Sequence, residues 1–199
     1  MEAIIRADRR DSLIDGEATL ETRQTMDRFL AAQERRAFHI ALAATGGSRE
    51  DALDLVQEAM TKLVAKYSRR PEAEWGPLFH RILQTTIRDW YRRQKVRNLW
   101  RHWFRGHEEE GREDPLEQAP DRPAAGPDHE AERDAAMEAL QEAIRELPLR
   151  QQQALMLRLL EGLDVAETAA AMGCSQGSVK THYSRAVHAL RNKLGEHWS

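Results

Sequence analysis

Residues 164–194 read DVAETAAAMGCSQGSVKTHYSRAVHALRNKL, and this stretch decides the fold. Asp164 followed three residues later by Glu167 is a capping box, in which each side chain takes a main-chain N–H that a first helical turn leaves unpaired. Gly173 closes that short helix, because glycine tolerates the left-handed backbone of a helix end. Ser175 then caps a longer helix that runs to about Leu194, before Gly195. A short helix, a tight glycine turn and a longer helix make a helix-turn-helix. Val165, Ala169, Met172, Cys174, Val179 and Ala186 are spaced to fill the angle between the two helices. That leaves Gln176, Ser178, Lys180, Thr181, Ser184 and Arg185 exposed. Short polar and cationic groups near the start of the second helix suit a major groove, where side chains meet base edges and Lys or Arg neutralises phosphate. A plain helical hairpin with a solvated face is the bland alternative, and it gives the caps and the glycine no particular task.

Upstream, helical periodicity continues and no sustained alternation of the strand type occurs. A helix at about 149–161 ends at Gly162, and one beginning near His129 carries Met137, Leu140, Ile144 and Leu147 on one side until Pro148. Between Gly106 and about Pro127 the composition turns to Pro, Gly and acids, which bury too little apolar surface to order themselves. Before that break lie three more helices. The first, about 21–44, has Met26, Phe29, Leu30, Ala37, Ile40 and Ala41 on one stripe and ends at Gly46-Gly47. Ser48 with Asp51 caps the second, in which Leu53, Val56, Met60, Leu63, Val64 and Tyr67 share a face. Pro71 and Trp75-Gly76-Pro77 interrupt it, with Pro77 expected in the first turn of the third helix. That helix carries Phe79, Ile82, Leu83, Thr86, Ile87 and Trp90. The expected architecture is all-α: a terminal extension (1–20), a small helical domain (21–105), a flexible acidic linker (106–133) and a second small helical domain (134–199) that contains the helix-turn-helix.

Charge is distributed to match. Residues 1–106 hold 20 Lys and Arg against 15 Asp and Glu, residues 107–146 hold 4 against 14, and residues 147–199 hold 6 against 4. Two basic ends therefore flank an acidic middle, although the whole 199-residue chain carries only -3. The single cysteine, Cys174, excludes an internal disulfide and a cysteine-rich metal site. No apolar run approaches the ~18–20 residues of a membrane span, and the N-terminus has acids and no apolar core of a signal peptide. A cytoplasmic protein without direct membrane insertion is expected.

Two further constellations stand out. In RILQTTIRDWYRRQKVRNLWRHWFR (81–105), Arg81, Arg88, Arg92 and Lys95 share a helical face, widened by Arg93, Arg97, Arg101 and Arg105. Trp90, Tyr91, Trp100, Trp103 and Phe104 are interleaved. Cations that follow a phosphate backbone, with rings that stack on unpaired bases, suit single-stranded nucleic acid; Trp90 itself fits the core better than a stacking platform. On the second helix Asp51, Asp54 and Glu58 recur at three and four residues with Gln57 beside them. Like charges at this spacing repel, and only Lys62 relieves them locally, so the stripe invites a basic partner or simply faces water.

These residues resemble a known family. Asp51-Ala52-Leu53-Asp54-Leu55-Val56-Gln57-Glu58 resembles the core-polymerase-binding segment of region two in bacterial RNA polymerase sigma factors of the sigma-70 family, extracytoplasmic-function (ECF) type. Residues 77–93 resemble the promoter-melting segment, and 147–194 resemble region four. The three matches occur in the family's order and cover roughly residues 22–100 and 134–194. The resemblance implies that Asp51, Asp54, Leu55, Gln57 and Glu58 contact a coiled coil on the largest subunit of core RNA polymerase. It implies that Arg81, Thr85, Arg88, Trp90, Tyr91, Arg92, Arg93, Lys95 and Arg97, with the loop around Tyr67 to Trp75, capture the minus-ten element of promoter DNA as a single strand with a base turned out. Gln176, Gly177, Ser178, Lys180, Thr181, Ser184 and Arg185 would read the minus-thirty-five element as duplex, and their domain would dock on the polymerase flap. The linker would thread towards the active centre, and an anti-sigma factor is an expected partner. Thr85 stands where many members have asparagine, and Cys174 where a branched aliphatic residue is usual.

Other classes predict other features. A LuxR-type regulator shares the helix-turn-helix, including Val179-Lys180-Thr181-His182, but needs an N-terminal receiver or ligand-binding domain with strands. A metal-dependent hydrolase needs ligand spacing that His102, His107 and His129 do not show. The expected protein is not an enzyme and needs no metal or cofactor.

Overall fold

The computed structural model describes residues 2–105 and 128–195, with side chains at 20–97 and 135–195. Every described element is a helix: α1 (Glu2–Ala44), α2 (Arg49–Tyr67), α3 (Glu72–Arg105), α4 (Asp128–Arg145), α5 (Leu149–Leu159), α6 (Val165–Met172) and α7 (Gln176–Gly195). The expected all-helical class holds. The linker residues 106–127 lie outside the described residues, and α4 begins inside the remainder of that stretch.

The N-terminal half packs α1, α2 and α3 around one core. Ala37, Ile40 and Ala41 of α1 meet Ala52, Leu55, Val56, Ala59 and Leu63 of α2 and Trp75, Phe79, Leu83 and Ile87 of α3. Phe29 meets Trp75 and Phe79 edge to face, with centroids 5.8 and 6.2 Å apart, the arrangement that ring quadrupoles favour. At the α1–α2 corner, Gly47 has φ +93 and faces Arg145 so closely that a Cβ would lie 3.3 Å from the guanidinium carbon. Ser48 caps α2 as expected, accepting the Asp51 N–H at 3.3 Å.

Four expectations need correction here. Leu53 and Val64 are 54% and 41% exposed rather than core: at about 100° per residue they lie some 100° round α2 from the line through Ala52, Ala59 and Leu63. Met137, at 54%, is displaced from the Ala143–Leu147 line of α4 in the same way. The helix α1 reaches back to Glu2 instead of starting near Glu21; residues 2–20 are rich in good helix formers and contain no proline. Finally, α3 begins at Glu72, so Pro77 lies inside it. The early start drives Trp75 into the core, where its Nε1 donates to the Tyr67 carbonyl at 3.2 Å. Proline leaves the Ala73 carbonyl without its helical donor, and both Ala73 and Pro77 are exposed, so water can serve instead. The loop expected from Tyr67 to Trp75 is correspondingly shorter, and Trp75 offers no free ring to a base.

The C-terminal half follows the sequence closely. Asp164 Oδ1 accepts the Glu167 N–H at 2.8 Å while Glu167 Oε2 accepts the Asp164 N–H at 2.7 Å, which completes the capping box. Gly173 has φ +64. Ser175 Oγ accepts the Ser178 N–H at 3.1 Å. Ala154, Leu157, Ala169, Ala171, Met172 and Val179 form one core cluster; Ala143, Leu147, Leu155, Ala186 and Leu190 form a second. The two halves are not held apart. Helix α5 lies against α1, α3 lies against α6, and Leu149 and Met156 pack on the N-terminal core.

Gly173→Ala tests the turn. The site has open space around a new Cβ, so the cost comes from the left-handed backbone alone, about 1–2 kcal/mol. Urea denaturation should show a loss of that size for alanine and a smaller one for asparagine.

Candidate nucleic-acid interface

The outward side of α7 is the more regular of the two candidate surfaces. Gln176, Gly177, Lys180, Thr181, Ser184 and Arg185 are exposed, and Ser178 is half-buried. Val179 and Ala186 point the other way, into the core, so the polar face is fixed by burial of the apolar one. Thr181 Oγ1 donates to the Gly177 carbonyl at 3.0 Å, and the Ser175 and Ser178 hydroxyls are 2.9 Å apart. Lys180 and Arg185 have no such tie among the described contacts and can meet phosphate or base edges.

The turn carrying this face is held by Arg150 and Arg158, which sequence reasoning missed, and by Arg81, which it assigned to DNA alone. Arg150 donates to the Met172 carbonyl at 3.0 Å, and Arg81, from the other half, donates to the Ala170 carbonyl at 3.0 Å. Both carbonyls are in the last turn of α6, where a helix has no donors of its own and carries partial negative charge. Arg158 donates to the Leu163 carbonyl and lies over the Tyr183 ring, 6.0 Å from its centroid. Lys193 pairs with Glu146, joining α7 to the end of α4.

The second surface lies on α3. Tyr91, Arg92, Arg93, Lys95 and Arg97 are exposed, and Arg88 is half-buried. Arg92 lies 3.7 Å from Asp89, a weak surface pair. Arg81, although exposed, is engaged by α6 as described, and Thr85 Oγ1 bonds back to the Arg81 carbonyl at 2.8 Å. Trp90 packs on the N-terminal core and donates from Nε1 to Asp51 Oδ1 at 3.1 Å. It is therefore a packing residue, half-buried and tied to α2.

That bond also divides the acidic stripe of α2. Asp51 belongs to the α2–α3 contact, Asp54 and Gln57 are exposed, and half-buried Glu58 pairs with Lys62 at 2.6 Å. Lys62 donates onward to Thr86 Oγ1 at 3.3 Å. Leu55 is 2% exposed and serves the core, so its inclusion among partner-contacting residues is corrected: the outward part of the stripe is exposed Asp54 and Gln57 with half-buried Glu58. Arg101 and Arg105, Trp100, Trp103 and Phe104 lie outside the described side chains.

Between the surfaces the halves meet through polar side chains. Gln152 Nε2 donates to the carbonyls of Ala43 at 2.9 Å and Ile144 at 3.0 Å, and Gln153 Nε2 donates to the Gln84 carbonyl at 3.4 Å. Glu161 Oε2 lies 3.2 Å from His80 Nε2 and 3.5 Å from Arg36 Nε. The His80 approach is out of line for a hydrogen bond, so that contact is one of proximity. A cleft of about 820 Å³ opens beside this junction, lined by Trp90, Tyr91 and Lys95 on one side and by Arg145 and Pro148 on the other. Among the described residues no group of three or more His, Cys, Asp or Glu could hold a metal ion, and no helix is long and apolar enough to cross a membrane.

A chain whose described elements are all helices, with a capped helix-turn-helix and a separate basic, aromatic helix face, belongs to the class of helix-turn-helix nucleic-acid-binding proteins. Comparison with known proteins narrows the class. Residues 137–190 match the family model described as Sigma-70, region 4. The chain is 35% identical over 144 residues to the RNA polymerase sigma-E factor of Streptomyces avermitilis, covering 72% of this chain and 71% of that one. It is 30% identical over 151 residues to the RNA polymerase sigma factor SigV of Bacillus subtilis, covering 74% and 78%. Its fold matches, at TM-score 0.57 and 24% identity, that of the sigma factor RpoE solved with the anti-sigma factor NepR from Bartonella quintana, over 88% of this chain and 97% of that one. The chain belongs to the sigma-70 family of RNA polymerase sigma factors, in its ECF group. The LuxR-type alternative is not supported: three helices occupy the place where it requires a receiver or ligand-binding domain.

If Asp51 and Trp90 act on each other, their substitutions will not add. Asp51→Ala and Trp90→Phe should each destabilise the fold, with a coupling of about 1 kcal/mol in a double-mutant cycle read by urea denaturation.

Proposed function

We propose that this sigma factor binds core RNA polymerase through Asp54, Gln57 and Glu58 on α2 and directs transcription initiation in the cytoplasm, without catalytic chemistry of its own. The exposed cations Arg92, Arg93, Lys95 and Arg97, with Tyr91, would then hold the minus-ten strand, with Arg88 at the edge of that face. The outward residues of α7 would read the minus-thirty-five duplex. An anti-sigma factor is the corresponding protein partner, as it is for the Bartonella protein in its complex.

One observation carries the reading. The chain combines an exposed helix-turn-helix with an acidic strip on a helix whose opposite side is wholly core. A regulator acting on DNA alone has no use for that strip, since acids repel phosphate, whereas a subunit that must dock on a basic protein surface does. The cationic faces are modest in charge, so counterion release supplies little affinity to the free chain. Docking on polymerase would supply the rest.

Size exclusion with bacterial core RNA polymerase tests the docking: the chain should co-elute, and the Asp54→Arg/Glu58→Arg variant should not. Failure of the unaltered chain to co-elute where a known sigma factor does would sink the proposal. For the DNA surface, the slope of log K against log salt for nonspecific duplex should shrink by about 0.9 on Lys180→Ala. An unchanged slope would remove Lys180 from the phosphate contacts.

A further inference from the structure

The junction between the halves contains a group that neither polymerase docking nor DNA reading uses. Glu161 lies just beyond the end of α5 in the C-terminal half, with a side chain 4% exposed, and it is received by Arg36 of α1 and His80 of α3. The His80 side chain is itself 9% exposed. A carboxylate taken this far out of water needs cations or donors around it, and both groups that approach it here belong to the N-terminal half.

Apart from Leu149 and Met156, which pack on the N-terminal core, the ties around it are polar, as in a contact that opens. Gln152 and Gln153 bridge the halves by bonds to main-chain carbonyls, and buried Gln84 leaves both amide atoms unpaired. Permanent interfaces resemble a divided core, whereas polar ones belong to contacts that form and separate. Water can satisfy every one of these groups once the halves part.

Resting on the sigma-factor reading above, one length decides whether they must part. Elements named for positions ten and thirty-five lie about 25 base pairs apart, roughly 85 Å along duplex DNA. Packed helices lie about 8–10 Å apart, so where α3 touches α6 and α6 packs on α7 the first and last of these are separated by roughly 20 Å. Arg81 of α3 touches α6, which packs on α7, so the closed body cannot place α3 and α7 on both elements at once. The 22 residues from 106 to 127 are long enough to permit separation, at up to about 3.4 Å per residue.

We propose that Glu161 is an internal latch: its carboxylate occupies the Arg36–His80 site and holds a closed form in which Arg81 is engaged by α6, and promoter engagement requires the latch to release. Two measurements test it. Fluorophores on Arg69→Cys and Arg191→Cys, in a Cys174→Ala background, report the distance between halves in the free chain. Glu161→Ala should raise the ratio of open to closed molecules about tenfold, the effect of losing one charge-assisted contact, and Glu161→Arg should raise it further. Adding Arg36→Glu to Glu161→Arg should restore closure, an effect that unfolding would not give. Unchanged distances in both single variants would overturn the latch. In the second measurement, Ala44→Cys and Arg145→Cys, which line one cleft between the halves and lie outside both candidate DNA surfaces, are joined by a short bismaleimide, also in the Cys174→Ala background. The joined protein with core polymerase should lose promoter-directed transcription while the same variant left unjoined keeps it; full activity of the joined form would overturn the requirement for release. The distance measurement contains no polymerase, so a chain that failed to bind core enzyme would refute the sigma reading while the latch was still decided.

Discussion

Helix α5 has almost no wet side, and the rest of the structure depends on how its buried polar groups are satisfied. Four consecutive residues, Gln152, Gln153, Ala154 and Leu155, are buried, so core surrounds the helix instead of lying along one stripe. Ala154 and Leu157 serve the core cluster of α6 and α7, Leu155 serves the cluster of α4 and α7, and Met156 faces the N-terminal core. The two glutamines cannot be left unpaired, because a buried amide without a partner costs about 1–3 kcal/mol. Gln152 finds carbonyls at the ends of α1 and α4, where helical donors have run out. Helix ends that would otherwise need water are thus completed by a side chain from another element, which ties α4 to α5 and, in the closed arrangement, α1 to both.

The same economy governs the helix-turn-helix. Helix α6 has only eight residues, too short to be stable alone, and both of its ends are capped from outside its own backbone. At the start, the Asp164–Glu167 box supplies two bonds; at the finish, Arg150 and Arg81 donate to the last-turn carbonyls. Arg150 and the box belong to the C-terminal half and persist whatever the other half does. Arg81 does not, so in the open form proposed above α7 would retain its support, and only an auxiliary cap would be withdrawn.

Local chemistry was legible in the sequence, and assembly was not. The capping box, Gly173, Ser175 and the inward line of Val179 and Ala186 follow from rules spanning three or four residues, and they occur where the spacing put them. The stripes of α1 and α3 were equally plain. Errors arose where apolar character was taken for burial: Leu53, Val64 and Met137 lie one helical step outside the true line, and only the position of the neighbouring helix decides that. Leu55 shows the opposite error, a core residue credited with a contact because it stands within a recognisable segment. Nothing in the pattern marks Glu161, which as an acid beside Gly162 reads like any helix end. A buried acid is identified by its partners, and Arg36 and His80 are more than eighty residues away in sequence.

Arg81 shows why fold and function cannot be assigned residue by residue in this chain. Its place on the basic face of α3 suits a phosphate, and its guanidinium is directed at the Ala170 carbonyl. A guanidinium has five N–H donors, but its planar fork points them in one fixed fan, so a carbonyl seated on one side hinders close approach of a strand to the same group. Breaking the bond costs little if phosphate replaces the carbonyl, because a charge-assisted contact to an anion is stronger than one to a neutral acceptor. DNA would therefore compete for Arg81 on favourable terms, whereas the junction retains Gln84 with both amide atoms unpaired. The closed arrangement thus holds a cation suited to phosphate in a junction that also includes an unsatisfied buried amide.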